Sequence, residues 1–167
     1  MCWTTYKKEN LQKKTAKTDI KVIKILLETE DGALLSPYRL TEYRLDEVHC
    51  SEIGRPYQYY SDNIWSISEG LHSYSPSGIS LAEDTDSLAI RITPRNDAAN
   101  TLDYWHHFSN AVIMEGVIPL GGEYYENERG EIVSNGLKVV SVIAEIDRDL
   151  VFSTDKLQAL NERIHNL

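Results

Sequence analysis

Four glutamates lie close together in one stretch of this chain, and their spacing raises the possibility of carboxylate chemistry. The stretch is GVIPLGGEYYENERGEIVSNGLKVV, residues 116–140, and the carboxylates are Glu123, Glu126, Glu128 and Glu131. Acid–base catalysis needs one carboxyl group in an apolar pocket and a second one held nearby. The neighbours here are polar and a turn is expected at Glu128–Gly130. The pattern therefore favours a charged, solvated hairpin between two core strands.

Histidines form a second set of candidates, but their spacing does not predict a metal site. Asp103 precedes His106 and His107 by three and four residues, so on a helix one imidazole can meet that carboxylate, as it does in many metal sites. No second pair of ligands follows at metal spacing. In the other cluster, His49 and Cys50 are adjacent and would point to opposite faces of a strand. We therefore expect no metal.

A third candidate group surrounds His72 in the segment GLHSYS, residues 70–75. His72 could act with Ser73 or Ser75 in nucleophilic catalysis, but the segment lacks the G-x-S-x-G pattern of a nucleophile elbow. Nor does the chain contain a glycine-rich phosphate loop followed by Lys-Ser. The segment is more typical of a strand end closed by a serine side chain.

Charge is unevenly distributed along the 167 residues, whose formal net charge is −9. Residues 1–24 carry seven lysines and two acidic residues, whereas the remainder carries ten basic and twenty-four acidic residues. An acidic body repels nucleic-acid backbones, so we expect no nucleic-acid binding. We interpret the basic lead-in, residues 1–18, as a solvated first helix or arm.

The cysteines and the apolar runs indicate a cellular setting. Two cysteines do not form a disulfide framework. No apolar signal segment opens the sequence, and no apolar run is long enough to span a bilayer. We therefore expect a cytoplasmic protein that has no contact with a membrane.

Alternating apolar residues predict a sheet that positions these candidates. DIKVIKILLE, from Asp19, changes from alternating to continuously apolar, as a strand entering the core does, and Asp31-Gly32 then supplies a tight turn. Further strands are expected in NIWSIS, SLAIRITP, AVIMEGVIP, GEYYEN and GEIVSNGLKVVSVIAEI. We interpret residues 1–167 as one α+β domain, a mainly antiparallel sheet with a few flanking helices.

Two helices are expected beside this sheet. In NDAANTLDYWHHFSNAV, residues 96–112, apolar residues recur at steps of three and four. Residues 153–167 form the second, an amphipathic helix with one leucine and isoleucine stripe that Ser153 or Thr154 can cap.

A polar, tyrosine-rich segment over residues 46–63 predicts a long loop. Long loops without secondary structure are often functional. Tyrosine suits binding surfaces because its ring is apolar and its hydroxyl is polar. We therefore take Tyr57, Tyr59 and Tyr60 as candidate binding residues for a protein partner.

Several segments together resemble a family of small uncharacterised proteins from Bacteroides-type bacteria and their phages. The matching segments are DIKVIKIL, SPYR, GLHSY and VIPLGGEYYENERGEIVSNGLKVV. Members of that family begin Met-Cys and carry a segment similar to IPKGSEYYENEEGEIVSN. The resemblance covers much of the chain, and its last motif is fairly specific. It implies a bacterial or phage origin and assigns no activity.

A second resemblance is to the ADP-ribosyltransferase fold. The matching positions are Lys24, the strand HSYS at His72–Ser75, and Glu115 in EGVIPLGG. Lys24 stands where that fold carries Arg or His, which would make a nicotinamide site degenerate. The resemblance implies that Glu115 would stabilise the oxocarbenium ion of NAD.

Two functions stay open at this point. In the first, the chain is a non-enzymatic domain that needs no cofactor and contacts a protein partner through its tyrosine-rich loop. In the second, it is an ADP-ribosyltransferase-type enzyme that uses Glu115, His72 and Ser73, or a related domain that binds NAD or another nucleotide without turnover. The sequence identifies neither the partner nor the oligomeric state.

Overall fold

The protein is built mainly from antiparallel β-strands, and two α-helices lie late in the chain. A computed structural model describes residues 3–37, 39–58, 63–84, 89–94, 104–107 and 111–167. No helix within these ranges is long and apolar enough to cross a membrane. The mainly antiparallel sheet expected from the alternating apolar pattern is confirmed.

The secondary-structure elements are numbered in chain order over these described ranges. A turn of 3₁₀ helix (Lys8–Leu11) separates the first two strands. The first strands are β1 (Trp3–Thr5), β2 (Lys14–Thr15), β3 (Ile20–Glu28), β4 (Leu34–Leu35), β5 (Glu42–Tyr43), β6 (Val48–Cys50), β7 (Tyr57–Gln58), β8 (Trp65–Ile67) and β9 (Leu71–Tyr74). There follow β10 (Ile79–Asp84), β11 (Ala89–Pro94), β12 (Tyr104–His107), β13 (Ala111–Ile118), β14 (Glu123–Glu126), β15 (Glu131–Ser134), β16 (Gly136–Ile146), α1 (Arg148–Val151) and α2 (Thr154–His165).

The described strands form one large sheet and two small ones. The large sheet has the order β2-β14-β15-β9-β3-β13-β16-β6, and β4 and β5 extend it beside one end of β3. One small sheet has the order β1-β8-β7 and the other has the order β10-β11-β12. Strand β3 therefore lies near the middle of the large sheet, between β9 and β13.

Strand β3 is buried on both faces, which explains its nearly continuous apolar sequence. It pairs with β13 over eight residues. Alternate side chains enter two separate cores: Ile23 and Ile25 pack in one, and Val22 and Leu26 pack in the other. The strand predicted from Asp19 onward is confirmed, and it carries one charged residue into the interior.

Helix α2 covers one face of the large sheet. The hydroxyl group of Ser153 accepts a hydrogen bond from the backbone N–H of Lys156, which caps the first turn. Leu157, Leu160 and Ile164 are buried in the same core as residues of β3 and β13. The C-terminal amphipathic helix predicted from its apolar stripe is confirmed, with the cap at Ser153.

The prediction of a helix over residues 96–112 is wrong for those of its residues that the structure describes. Tyr104–His107 forms β12, which pairs with β11, and residues 111 and 112 begin β13. Aromatic residues favour extended backbone, and strand pairing here outweighs the helical spacing of the apolar residues. Residues 96–103 and 108–110 of that prediction lie outside the described residues.

Two segments that were expected to be irregular contain short strands. The loop predicted over residues 46–63 contains β6 and β7. In the lead-in, residues 1–18, Trp3 is 1% exposed and pairs with Ile67 in the small sheet, so the expectation of a solvated arm is wrong for β1. The five lysines of the lead-in are exposed, as their charge requires.

Candidate functional site

Glu115 lies on β13, one of the central strands of the large sheet, opposite Ile23 of β3 and Ser141 of β16. Its side chain is 22% exposed. One carboxylate oxygen accepts a hydrogen bond from the Ser141 hydroxyl at 3.4 Å, and the other lies 4.0 Å from the Lys21 ammonium. These contacts describe a partly exposed carboxylate held by neighbours on its own sheet.

His72 and Ser73 lie on β9, which β3 separates from β13. Because successive side chains of a strand point to opposite faces, these two do not share a face. Ser73 is 2% exposed, and its hydroxyl oxygen has no hydrogen-bond partner among the described residues. Among those residues, the cavity that His72 lines includes neither Ser73 nor Glu115.

The tyrosine-rich segment is described only in part. Tyr57 lies on β7, pairs with Ser66 of β8 and is 41% exposed. Tyr59 and Tyr60 lie outside the described residues. The expected binding role of this segment stays a prediction.

A cavity of about 260 Å³ lies beside β3 and β9. Its floor comes from these two strands, and its walls come from the segments around β5 and β6. Its described lining residues are Lys24, Ile25, Ser36, Pro37, Arg39, Thr41, Tyr43, His49, Cys50, Ser51, Gly70, Leu71, His72 and Tyr74. The site therefore combines the rigid middle of the sheet with short connecting segments.

Lys24 is the charged residue that β3 carries into the interior, where it is 7% exposed. Its ammonium group donates a hydrogen bond to the backbone carbonyl of His72 at 2.6 Å. It also lies 5.4 Å from the centre of the Tyr43 ring, in a cation–π contact. Burial lowers the pKa of Lys24 to about 8. Near neutral pH this amine is therefore charged in part and neutral in part.

His72 lines the same cavity, and its Nε2 atom is buried without a hydrogen-bond partner among the described residues. Burial, together with the positive charges of Lys24 and Arg39, lowers the pKa of His72 to about 3. A hydrogen bond with the backbone of Ser68 acts in the opposite direction. The ring is therefore neutral at physiological pH.

Tyr43 and His49 form an aromatic wall, with ring centres 4.5 Å apart. His49 Nε2 accepts a hydrogen bond from the backbone N–H of Arg44 at 3.1 Å, which positions the imidazole. Burial raises the pKa of Tyr43 to about 12, so its hydroxyl group stays protonated. This wall is apolar on its faces and offers a hydroxyl donor at its edge.

The charges around the cavity are of one sign. Lys24 and Arg39 line it, and no aspartate or glutamate does so among the described residues. The whole chain carries 26 acidic residues against 17 basic ones, so this lining runs against the overall composition. The lining can hold a small anion, because it supplies positive charge and hydrogen-bond donors without a competing carboxylate.

The hairpin expected in the 116–140 stretch is present as β14 and β15, but its turn is not solvated as its polar neighbours predicted. Glu131 is 5% exposed and pairs with the buried Arg129, with Nε 2.7 Å from Oε1. Asn127 donates to the same carboxylate oxygen at 3.0 Å, and Arg129 also donates to the backbone carbonyl of Thr4. The turn therefore holds a buried ion pair that joins it to β1.

Glu128 binds the segment that follows β1. Its carboxylate accepts hydrogen bonds from the Thr5 hydroxyl, the Tyr6 backbone N–H and the Asn10 side chain. Although burial acts in the opposite direction, these bonds and the nearby charge of Arg129 lower the pKa of Glu128. Both carboxylates thus have structural partners, which the turn pattern alone did not indicate.

Neither a metal site nor a known relative assigns this cavity. In the part of the chain that the structure describes, no group of three His, Cys, Asp or Glu side chains could hold a metal ion. Comparisons with protein-family models, curated proteins and solved structures gave no match. The resemblances to the bacterial and phage family and to the ADP-ribosyltransferase fold stay predictions.

Only part of the cavity could be predicted from the sequence. Lys24 carried a usable signal, because it is a lone charge within a run of buried apolar residues. Tyr43, His49 and Arg39 carried none, since they reach the cavity through turns whose path depends on how β5 and β6 join the sheet.

Proposed function

We propose that this protein binds a small organic anion in the cavity beside β3 and β9, without turnover. The observation that carries the proposal is the position of Lys24, a lysine buried on a central strand with no carboxylate partner among the described residues. Burying a lysine costs free energy unless another group compensates for its charge. An anionic ligand is such a group.

The polar atoms of the cavity support the same proposal. The Lys24 ammonium bonds a single backbone carbonyl among the described residues, so it has further donor capacity for a ligand. Arg39 lines the cavity and donates to the Ser68 carbonyl at 3.2 Å.

The size and walls of the cavity limit the ligand to a small molecule. A volume of about 260 Å³ lies just below the range usual for drug-sized ligands. The rings of Tyr43 and His49 provide an apolar wall beside the charged groups. A carboxylate or phosphate group on a short carbon skeleton fits this combination.

A thermal-shift measurement with inorganic phosphate, acetate, pyruvate and NAD tests the proposal. A ligand at ten times its Kd stabilises the native state by about 1.4 kcal/mol, so we expect the Tm to rise by roughly 3 to 5 °C. Lys24→Met should remove the response. Lys21→Met is the matched control, because it removes the same charge from an exposed position on the same strand.

The comparison of the two variants decides the outcome. If Lys24→Met and Lys21→Met respond equally to every anion, the cavity is not the binding site. If no anion raises the Tm of the unmodified protein at millimolar concentration, the proposal is wrong. A response to NAD alone would favour the nucleotide-binding alternative over a small organic anion.

The other expectations from the sequence stay proposals beside this one. A protein partner at the tyrosine-rich segment is supported by the exposure of Tyr57. The ADP-ribosyltransferase alternative has weaker support, because Glu115 is not among the described residues that line the cavity. A cytoplasmic location is supported by the free, exposed thiol of Cys50. Assignment to the α+β class is supported by the packing of α2 against the large sheet.

A further inference from the structure

Lys24 differs from the other groups of the cavity because it is also a nucleophile. A neutral lysine amine attacks carbonyl carbons, and desolvation in an apolar pocket increases the neutral fraction. The amine of Lys24 is fixed by its 2.6 Å bond to the His72 carbonyl on the adjacent strand. Its position is therefore set by the sheet rather than by a mobile loop.

We propose that Lys24 captures a 2-oxo acid as a reversible imine, with the cavity holding the carboxylate of the ligand and the amine condensing with its carbonyl group. This inference rests on the proposed function, since the same cavity must first bind the anion. The ligand class is then the 2-oxo acids, in which a carboxylate is bonded directly to the carbon of a ketone or aldehyde group.

The positions of the other groups fit the two ends of such a ligand. Arg39 presents a planar guanidinium, which matches the geometry of a carboxylate. Lys24 and Arg39 both line the cavity. A small ligand can therefore place its carboxylate toward Arg39 and its carbonyl toward Lys24.

The condensation needs only the amine of Lys24 and the carbonyl group of the ligand, and it releases one water molecule. The lone pair of Nζ forms a bond to the carbonyl carbon, the carbonyl electron pair moves to oxygen, and a proton passes from nitrogen to that oxygen. The carbinolamine then loses its hydroxyl group together with the remaining proton on nitrogen as water, while the carbon–nitrogen double bond forms. Hydrolysis reverses each step and returns the free amine.

The lowered pKa of Lys24 supports this chemistry. With a pKa of about 8, Lys24 is neutral in roughly half of the molecules at pH 8, whereas an ordinary lysine is almost fully protonated there. No carboxylate among the described residues pairs with this ammonium group and holds the proton on it. The amine can therefore react near neutral pH.

Reductive trapping tests the inference. The protein is incubated with pyruvate and sodium cyanoborohydride, which reduces an imine to a stable secondary amine. Intact-mass measurement then counts the adducts, and peptide mapping locates them. We expect one principal adduct at Lys24, at least about tenfold above the occupancy of Lys21, because burial raises the neutral fraction of the Lys24 amine above that of an ordinary lysine at pH 7 to 8. Formation of this adduct should rise with pH to a half-maximum near pH 8.

Lys24→Arg separates this inference from the proposed function. Arginine keeps the positive charge and cannot form the imine, so this variant should keep a Tm response to pyruvate and lose the principal adduct. If the unmodified protein shows the Tm response but no preferred adduct at Lys24, the imine is refuted and anion binding stands. If no anion raises the Tm and no adduct forms, both proposals fail. Equal labelling of Lys24 and the exposed lysines also refutes the imine.

Discussion

Replacing Lys24 with methionine removes one ionisable group from the interior while keeping an unbranched side chain of similar length. The substitution also removes the hydrogen bond to the His72 carbonyl and the contact with the Tyr43 ring. Both contacts are made by the same titrating amine, so the folded-state pKa of about 8 includes them together with the cost of burying the charge. The pH dependence of stability therefore reports the net cost of holding this charge in the interior.

The magnitude follows from the pKa of Lys24, which burial lowers from 10.5 to about 8. Between pH 8 and 10.5, the unfolded chain keeps a proton that the folded protein has released. The free energy of unfolding consequently rises with pH across this window and falls as the pH drops toward 8. Since one pKa unit corresponds to about 1.4 kcal/mol, the unmodified protein should gain about 2 to 3 kcal/mol relative to Lys24→Met between pH 7 and pH 10.

Urea unfolding at a series of pH values measures this difference. The fluorescence of Trp3, which is 1% exposed, reports the loss of the native state. Lys21→Met provides the control, and its stability should follow that of the unmodified protein at every pH. A constant difference between the unmodified protein and Lys24→Met from pH 7 to pH 10 would refute a buried lysine with a lowered pKa.

Two further predictions concern other buried groups. Glu131→Leu alone should destabilise the protein by about 3 to 5 kcal/mol, because Arg129 keeps its charge without a partner. The double variant Arg129→Met, Glu131→Leu should recover most of that loss in urea unfolding, and additive losses would contradict a coupled ion pair. Burial lowers the pKa of His72 from 6.5 to about 3. Below pH 6.5 the imidazole therefore binds a proton in the unfolded chain but stays neutral in the folded protein. Relative to His72→Phe, the free energy of unfolding of the unmodified protein should therefore fall by about 2 kcal/mol between pH 6.5 and 4.5. If the difference in stability between the two proteins does not change over that range, the imidazole is exposed to solvent.

The strands were the most predictable part of the fold, because burial on one or both faces leaves a direct mark on the sequence. The apolar run of β3 and the capped stripe of α2 both follow from local rules. The segment that became β12 was misjudged for a physical reason. Its apolar residues fit helical spacing, and its pairing with β11 depends on contacts that are distant in the sequence.

The cavity was harder to predict than the strands that form its floor. Lys24 is the buried lysine of β3, but the groups that face it come from turns. For the glutamates of the 116–140 stretch, the sequence predicted a solvated turn where the structure has a buried one. A polar turn normally faces solvent, yet here β1 covers it, and only the paired positions of Arg129 and Glu131 could have indicated an internal ion pair.

The indole of Trp3 donates a hydrogen bond to the carbonyl of Glu131, a residue 128 positions further along the chain. Its ring packs with Ile67, Tyr125 and Val133, of which the last two are paired in the β14–β15 hairpin. Closing a loop of this length is slow compared with forming local structure. We therefore expect this small core, and with it the burial of Trp3, to form after the β14–β15 hairpin.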